Sequence, residues 1–568
     1  MSQSRSVQLL DILLFAGLGI LSFLPFLGLA PLFDWDEINF AESAREMIQT
    51  GNYFQVQINF EPFWEKPPLF LWLQVLSMKL FGVNEFAARF PNAIVGIFTL
   101  LSLYIHGTRL QGNTFGRLVA GFYFVSILPH LYFKSGIIDP TFNFFIFLSL
   151  IHIVKYEVLA ATLENPRRQR ALPWLAGYWA GMATLTKGPV ALIVIFAVFF
   201  IYKVLYAGNR RPWIAILKFT TIYLFVIASW FGSIIVFTEE GMDMVRKFIE
   251  YQAELFSQPV AGHQQPFYYH FVVFLIGCFP LSAFAFRGMF LRHEDFTARV
   301  VKRYMFIWFW LVLVLFSIVQ PKIVHYSSLL YFPGAFLAAA YFKEMIDGNK
   351  KMKWDNYLVY GIGILVYGVA LSLISVVTNR LDEIVASTDD PFTKANLAAD
   401  AGWTGWEFLP GLFFALALVF GLYLLIRKRF RAFIAIHLLA TPIFLNSLNA
   451  MIVPKVAEYT QMAAVDFFKS KADEECYLMV EGYKSYAHYF YGQVKPFPYP
   501  EIPRDKRGDW LARGEIDKPV YLVTRIDRAT EEFENVWFVN FKKLYEKNGF
   551  VFYLRESPSR SPSSKGPV

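Results

Sequence analysis

A dense group of ionisable residues follows the first apolar run of the chain: Asp34-Trp35-Asp36-Glu37, and further on Glu65-Lys66-Pro67-Pro68. A carboxylate placed here can take the proton of an attacking hydroxyl, and an ammonium in a low-dielectric site holds anionic charge strongly. Asp36 stands just past a run of membrane-spanning length, where charge is costly and is more often functional than decorative. Asp34 and Glu37 also have the N-cap and N3 spacing of a capping box, an ordinary structural use. Lys66 can pair with Glu65 or with a lipid phosphate. Asp34, Asp36, Glu37 and His263 offer oxygen and imidazole ligands to a divalent cation, yet no spacing demands one, and no metal site is assigned. The sequence has no phosphate-binding glycine loop, no Ser/His/Asp order and no nucleotide fingerprint.

The elements that must position these groups are helices. Phe40, Ala41, Ala44, Met47 and Ile48 share one helical face that ends at Gly51, which predicts an amphipathic helix lying along a membrane surface. A second helix is predicted from Leu69 to Phe81, after two prolines that suit its start.

The rest of the chain explains why a membrane is at hand. Of the 568 residues, 56% are hydrophobic and only 17% charged, whereas soluble domains run near 25% charged. Apolar runs of spanning length fall near 8–30, 92–108, 116–134, 138–157, 172–188, 189–206, 214–237, 267–287, 304–319, 329–346, 356–377, 408–426 and 432–449, about thirteen spans. The first, Leu9 to Ala30, is longer than a signal-peptide core and is read as a retained span. Short basic connections, such as Arg167-Arg168 and Arg427-Lys428-Arg429, alternate with long acidic ones at 31–91, 238–266, 378–407 and after 450. The basic set faces the cytoplasm, so the N-terminus lies inside and the C-terminal segment outside. The net charge of +8 is thereby a topology signal and not a nucleic-acid footprint. Cys278 and Cys476 are the only cysteines, so neither a disulfide framework nor a cysteine metal site is available.

Residues 1–449 form the transmembrane unit, with the outer loop 31–91 carrying the surface helices. Residues 450–556 predict a small α/β extracytoplasmic domain with strands at Tyr477 to Val480, Val520 to Val523, Val536 to Phe541 and Phe550 to Leu554. Residues 557–568, rich in Ser and Pro, predict a disordered tail.

Asp36-Glu37-x-x-Phe-Ala-Glu-x-Ala-Arg-Glu-Met, Phe63-Trp64-Glu65-Lys66-Pro67-Pro68 and Arg89-Phe90-Pro91 closely resemble the start of the aminoarabinose and related lipid A glycosyltransferases. These belong, with the protein O-mannosyltransferases, to the polyprenyl-phosphate-dependent GT-C superfamily. The likeness continues in order through Asp139 in Gly136-Ile-Ile-Asp-Pro, Lys187-Gly188-Pro189, Gly262-His263-x-x-Pro266-Phe-Tyr-Tyr269 and Lys322-x-x-x-Tyr326. It departs at Ile38, Asn39 and Phe40, so aminoarabinose is not assigned as the sugar. Beyond residue 335 the likeness is one of topology alone.

The resemblance implies an α-helical polytopic membrane protein of GT-C fold in a bacterial inner membrane. Its implied activity moves a sugar from a polyprenyl-phosphate donor to an acceptor outside the cytoplasm: lipid A, another glycolipid or glycan, or a protein hydroxyl. Asp36, Asp139 and Glu37 are the implied catalytic carboxylates. Glu65, Lys66, Lys187, His263, Tyr269, Lys322 and Tyr326 are expected around the donor phosphate and sugar, and no cofactor is required. A lipid-borne donor also accounts for the missing nucleotide fingerprint. Two other classes compete. A transporter or flippase of lipid-linked sugars binds near mid-bilayer between repeats, whereas the polar residues here gather at one face. A structural assembly subunit would work through its outer domain and leave Asp36 dispensable.

Overall fold

Inside hydrocarbon every backbone N–H and C=O must bond within the protein, so apolar runs of this length fold as helices. The computed structural model describes residues 6–63, 65–162, 165–206, 212–238, 240–257, 265–319, 322–529 and 540–557. Each of the expected apolar runs falls on one helix or on two or three successive helical segments. Among the described residues, six helices are long and apolar enough to cross a membrane, Glu85–Gln111, Trp213–Phe237 and Phe296–Ile318 among them. A bent pair, Tyr269–Gly277 and Ser282–Met289 at 114°, makes up to seven. Other runs are shorter or broken. The run at 116–134 divides into Asn113–Val125 and Ile127–Tyr132, and the run at 356–377 passes through a π-helical turn at Ile364–Ala370. Hydropathy reads composition and does not register where a backbone breaks. Trp213–Phe237 keeps a wide apolar face exposed (Ile214, Leu217, Leu224, Phe225, Val236), as a lipid-facing helix must.

The 31–91 connection is folded and not merely laid on a surface. It contains the Asp36–Thr50 and Leu69–Phe81 helices and a short antiparallel hairpin pairing Gln57–Ile58 with Glu61–Pro62. The expected membrane-surface helix is instead enclosed by protein, since every residue from Glu37 to Met47 is buried. Its apolar face (Ile38, Phe40, Ala41, Ala44, Met47) joins Phe70 and Leu71 of the next helix and Phe467, Phe490 and Phe552 of the C-terminal region in one cluster. On its polar face Arg45 and Glu46 find their partners within the protein. Arg45 holds Glu42 at 2.6 Å and donates to the Val494 carbonyl at 2.9 Å. Glu46 accepts the backbone N–H groups of Asn59 and Phe60 at 2.6 and 2.8 Å.

The C-terminal region carries a four-stranded mixed sheet. Tyr477–Val480 runs parallel to Val520–Arg525, which pairs antiparallel with Phe550–Arg555, whose other neighbour is Lys542–Lys547. Three strands stand where the alternation of apolar residues predicts them. Of the run Val536 to Phe541, residues 536–539 lie outside the described residues, and the edge strand is found downstream at Lys542–Lys547. All six of its residues are exposed, and a charged edge strand of this kind blocks further pairing while carrying no apolar signal.

Candidate active site

Four segments deliver ionisable side chains to one place. Asp36 opens the Asp36–Thr50 helix, and Asp139 opens Asp139–Thr162, with Pro140 in the first turn where its missing N–H costs nothing. Lys187 is the last residue of Pro166–Lys187, at the helix end where a cation is favoured. Gly188 terminates that helix at φ +111°, a conformation a side chain would strain, and a Cβ there would meet the Gln252 amide oxygen at 2.8 Å. His325 and Tyr326 lie on the 3₁₀ turn Val324–Leu330.

Their geometry is close. The Lys187 ammonium is 2.6 Å from the Asp139 carboxylate and 5.3 Å from the Tyr326 ring centroid. His325 Nε2 is 3.7 Å from Asp36 Oδ2. Lys66 lies 3.5 Å from Glu65 and within electrostatic reach of Asp139 and His325. The two aspartates differ in access: the Asp139 side chain is 5% exposed and committed to Lys187, whereas that of Asp36 is 45% exposed. Burial holds His325 below the usual imidazole range, a shift that the neighbouring Asp139 only partly opposes and that Lys187 reinforces. The ring is therefore neutral at pH 7.

Glu37 has a different part from Asp36. Its carboxylate turns inward to Arg89, accepting Nη2 at 2.7 Å and Nε at 3.1 Å, and also accepts the N–H of Phe33 at 2.9 Å and that of Gly136. Burial acts to raise its pKa, but the Arg89 guanidinium with these hydrogen bonds overrides that and holds it below the ordinary value. Arg89 in turn donates to the carbonyls of Leu27, Ala30 and Pro31, each at 2.8 Å. Glu37 thus fastens the start of the Asp36 helix to the loop before Asp139. Asn92 secures that loop a second time, donating to the carbonyls of Ser135 and Ile137 at 2.8 and 2.6 Å while accepting Thr141 Oγ at 2.9 Å. Every lone pair of the Glu37 carboxylate is engaged within the protein and its side chain is only 3% exposed, in contrast to the open Asp36.

The capping box expected of Asp34 and Glu37 does not form. The helix starts after Trp35, and Asp34 instead accepts the Tyr486 N–H at 3.1 Å from the C-terminal region. Burial pushes the Asp34 carboxyl up despite the hydrogen bonds from Ser485 and Tyr486. Asp139 stands at the first position of its helix, where a carboxylate often serves as a cap, yet its carboxylate is on Lys187. Tyr269 packs edge-on against His270 at 5.1 Å, and Lys322 is buried; among the described residues no ion pair or hydrogen bond joins either to the carboxylates. His263 and Trp64 lie outside the described residues. The cation ligands offered by the sequence are dispersed, with Asp34 on Tyr486 and Glu37 on Arg89. Among the described residues no group of three or more His, Cys, Asp or Glu side chains could hold a metal ion. His325 escaped sequence reasoning although it stands between Lys322 and Tyr326. A histidine preceding that tyrosine at the end of a span was the available signal.

The family model for dolichyl-phosphate-mannose-protein mannosyltransferases matches residues 65–232. The fold matches the crystal structure of ArnT from Cupriavidus metallidurans bound to undecaprenyl phosphate with a TM-score of 0.73, at 16% identity over 99% of this chain and 100% of that one. In sequence and in fold the chain thus resembles glycosyltransferases that take a sugar from a polyprenyl phosphate. Among its relatives is the undecaprenyl phosphate-α-4-amino-4-deoxy-L-arabinose arabinosyl transferase of Wigglesworthia glossinidia brevipalpis, 28% identical over 56% of each chain. The enzyme of the same name from Yersinia enterocolitica is 25% identical over 65% of this chain and 66% of its own. An uncharacterised Aquifex aeolicus protein is 26% identical over 60% of this chain and 64% of its own. The chain spans a little over half to two thirds of the length of these relatives.

Proposed function

We propose that the protein transfers a sugar from a polyprenyl-phosphate donor to an acceptor on the extracytoplasmic side of a bacterial inner membrane. The observation that carries this reading is the pairing of one accessible carboxylate, Asp36, with a cationic group built on Lys187 and Lys66 at the same helix ends. The names of the relatives, and the undecaprenyl phosphate bound to the ArnT structure, support a lipid-phosphate donor.

In the reaction an acceptor oxygen forms a bond to sugar C1 while the bond from C1 to the phosphate oxygen breaks. The electron pair leaves on polyprenyl phosphate. Lys187, held by Asp139, and Lys66 face the charge that develops there, and preorganised cations in a site of low dielectric stabilise it without reorganising. A hydroxyl acceptor (a glycan or protein hydroxyl) loses its proton to Asp36. A phosphate acceptor, such as that of lipid A, arrives already deprotonated, and Asp36 then orients the sugar. Tyr326 lies along the Lys187 side of the site, where its ring can meet the sugar. Lys322, Tyr269, Glu65 and His263 belong to the wider donor path in this reading. No step calls for a cofactor.

The test uses purified protein in detergent with a panel of polyprenyl-phosphate sugars, comparing the parent with Asp36→Asn. Release of polyprenyl phosphate that requires an added acceptor and is lost in the variant supports transfer and names the donor. Full turnover by the variant removes Asp36 from the mechanism. A folded parent inert toward every donor counts against transfer itself.

A further inference from the structure

A cavity of about 360 Å³ opens in the C-terminal region, lined by the Tyr477–Val480 strand, residues between His488 and Pro498, the Arg504–Arg513 helix and Asn59 of the hairpin. Its volume is at the small end of the ~300–1,000 Å³ usual for ligand pockets, room for a small polar molecule. Five cations and three carboxylates line it. Four of the cations are occupied: Lys471 by Glu474 at 2.6 Å, Lys495 and Lys518 by Glu475, and Arg507 by Glu61 at 2.8 Å. Arg504 has no ion-pair or hydrogen-bond partner among the described residues, although it lines the same wall. Tyr489 and Phe497 supply aromatic rings. Beside Tyr489 the buried His488 has no hydrogen-bond partner at Nδ1.

The cavity is tied to the reaction site by one rigid element. Two of its lining residues are fixed to the Asp36–Thr50 helix, Val494 through Arg45 and Asn59 through Glu46. At about 1.5 Å of rise per residue these anchors stand about 15 Å along the helix from Asp36. The cavity therefore sits at a set distance from the carboxylate that receives the acceptor, on the side formed by the C-terminal region.

We infer that this cavity holds an acidic saccharide unit of the acceptor, with Arg504 on its carboxylate or phosphate and Tyr489 against the sugar ring. An aromatic face with a free guanidinium suits a ring bearing one anionic group, because arginine matches such groups with paired N–H donors. Neutral sugars lack the second contact. The inference rests on the transferase reading, and it gives that reading an acceptor of defined chemistry.

The experiment measures binding to the full-length protein in detergent, with no donor present, using galacturonate, glucosamine 1-phosphate and galactose as probes. Both anionic probes, or one of them, should bind, with galactose at least about ten-fold weaker. Whichever anionic probe binds better identifies carboxylate or phosphate as the group recognised. Arg504→Ala should weaken that probe about ten-fold or more, and Tyr489→Leu should weaken it to a lesser degree. Thermal unfolding of each variant controls for folding, and Arg504→Lys should recover part of the affinity. Absence of binding by either anion, or binding unchanged by Arg504→Ala, overturns the site. In the transfer assay the bound probe should raise the KM for acceptor and leave kcat intact; inhibition of any other form overturns the acceptor assignment. Failure of the parent to turn over any donor would sink the transferase reading while leaving the binding result to decide the cavity.

Discussion

Arg89→Met tests whether Glu37 positions the site. The change removes a guanidinium whose side chain is 5% exposed from a carboxylate that is 3% exposed. Breaking one partner of a buried ion pair costs about 3–5 kcal/mol, because the remaining charge is left uncompensated. Here three carbonyls, of Leu27, Ala30 and Pro31, also lose their donor. The loss should be felt locally, at the junction between residues 27–37 and the loop before Asp139. Hydrogen exchange in detergent reads it through the Phe33 and Gly136 amides, which donate to Glu37. A local opening made easier by that amount accelerates exchange by about 10²–10⁴-fold. The pH dependence gives a second readout. In the parent, Glu37 has its pKa lowered in the folded state, so its contribution is present above the ordinary glutamate value of about 4.3 and is lost as pH falls through the lower, folded value. Without Arg89 the buried carboxyl is raised, and the penalty grows as pH climbs past that ordinary value. The gap between parent and variant should therefore be widest at neutral pH and shrink toward pH 4.5. Exchange within about three-fold of the parent, or a gap that does not change with pH, would refute the positioning role.

Three further outcomes are expected. Lys187→Met should lower kcat by about 10²-fold or more, as removal of a preorganised charge-stabilising donor does. In a double-mutant cycle with Asp139→Asn the two losses should be strongly non-additive, since the pair acts as one unit, and additive losses would separate their roles. His325, held below the usual imidazole range, should leave turnover level near neutral pH and produce an acid limb below about 6.5; His325→Gln should abolish that limb, which a pH–rate profile checks. Burial and the adjacent Glu42 carboxylate push the Glu46 carboxyl well up. A group raised in the folded state stabilises fully below its unfolded value and loses that contribution as pH rises through the folded one. Thermal stability should consequently decline from mildly acid to alkaline pH, and Glu46→Gln should flatten the decline.

Composition and spacing were enough to make this a polytopic helical protein, because lipid leaves the backbone no other way to satisfy itself. The apolar runs located the helices, and the motifs around Asp36, Lys66, Asp139, Lys187 and Tyr326 named most of the ionisable cluster in advance. Legibility failed where a residue's role depends on partners far away in the chain. Asp34, Asp36 and Glu37 are consecutive or nearly so, yet one turns to Tyr486, one stays open beside His325, and one is locked to Arg89. No local rule separates them, since each direction is set by which distant donor is close. The Asp36–Thr50 helix teaches the same point: its amphipathic pattern is real, but its polar face meets Val494, Asn59 and Phe60 within the protein. Sequence by itself determined which segments are helical and which residue types could do the chemistry, for those follow from short-range periodicity and side-chain pKa. Tertiary structure alone decided which carboxylate is free and which is spent, for burial and long-range hydrogen bonding set that choice.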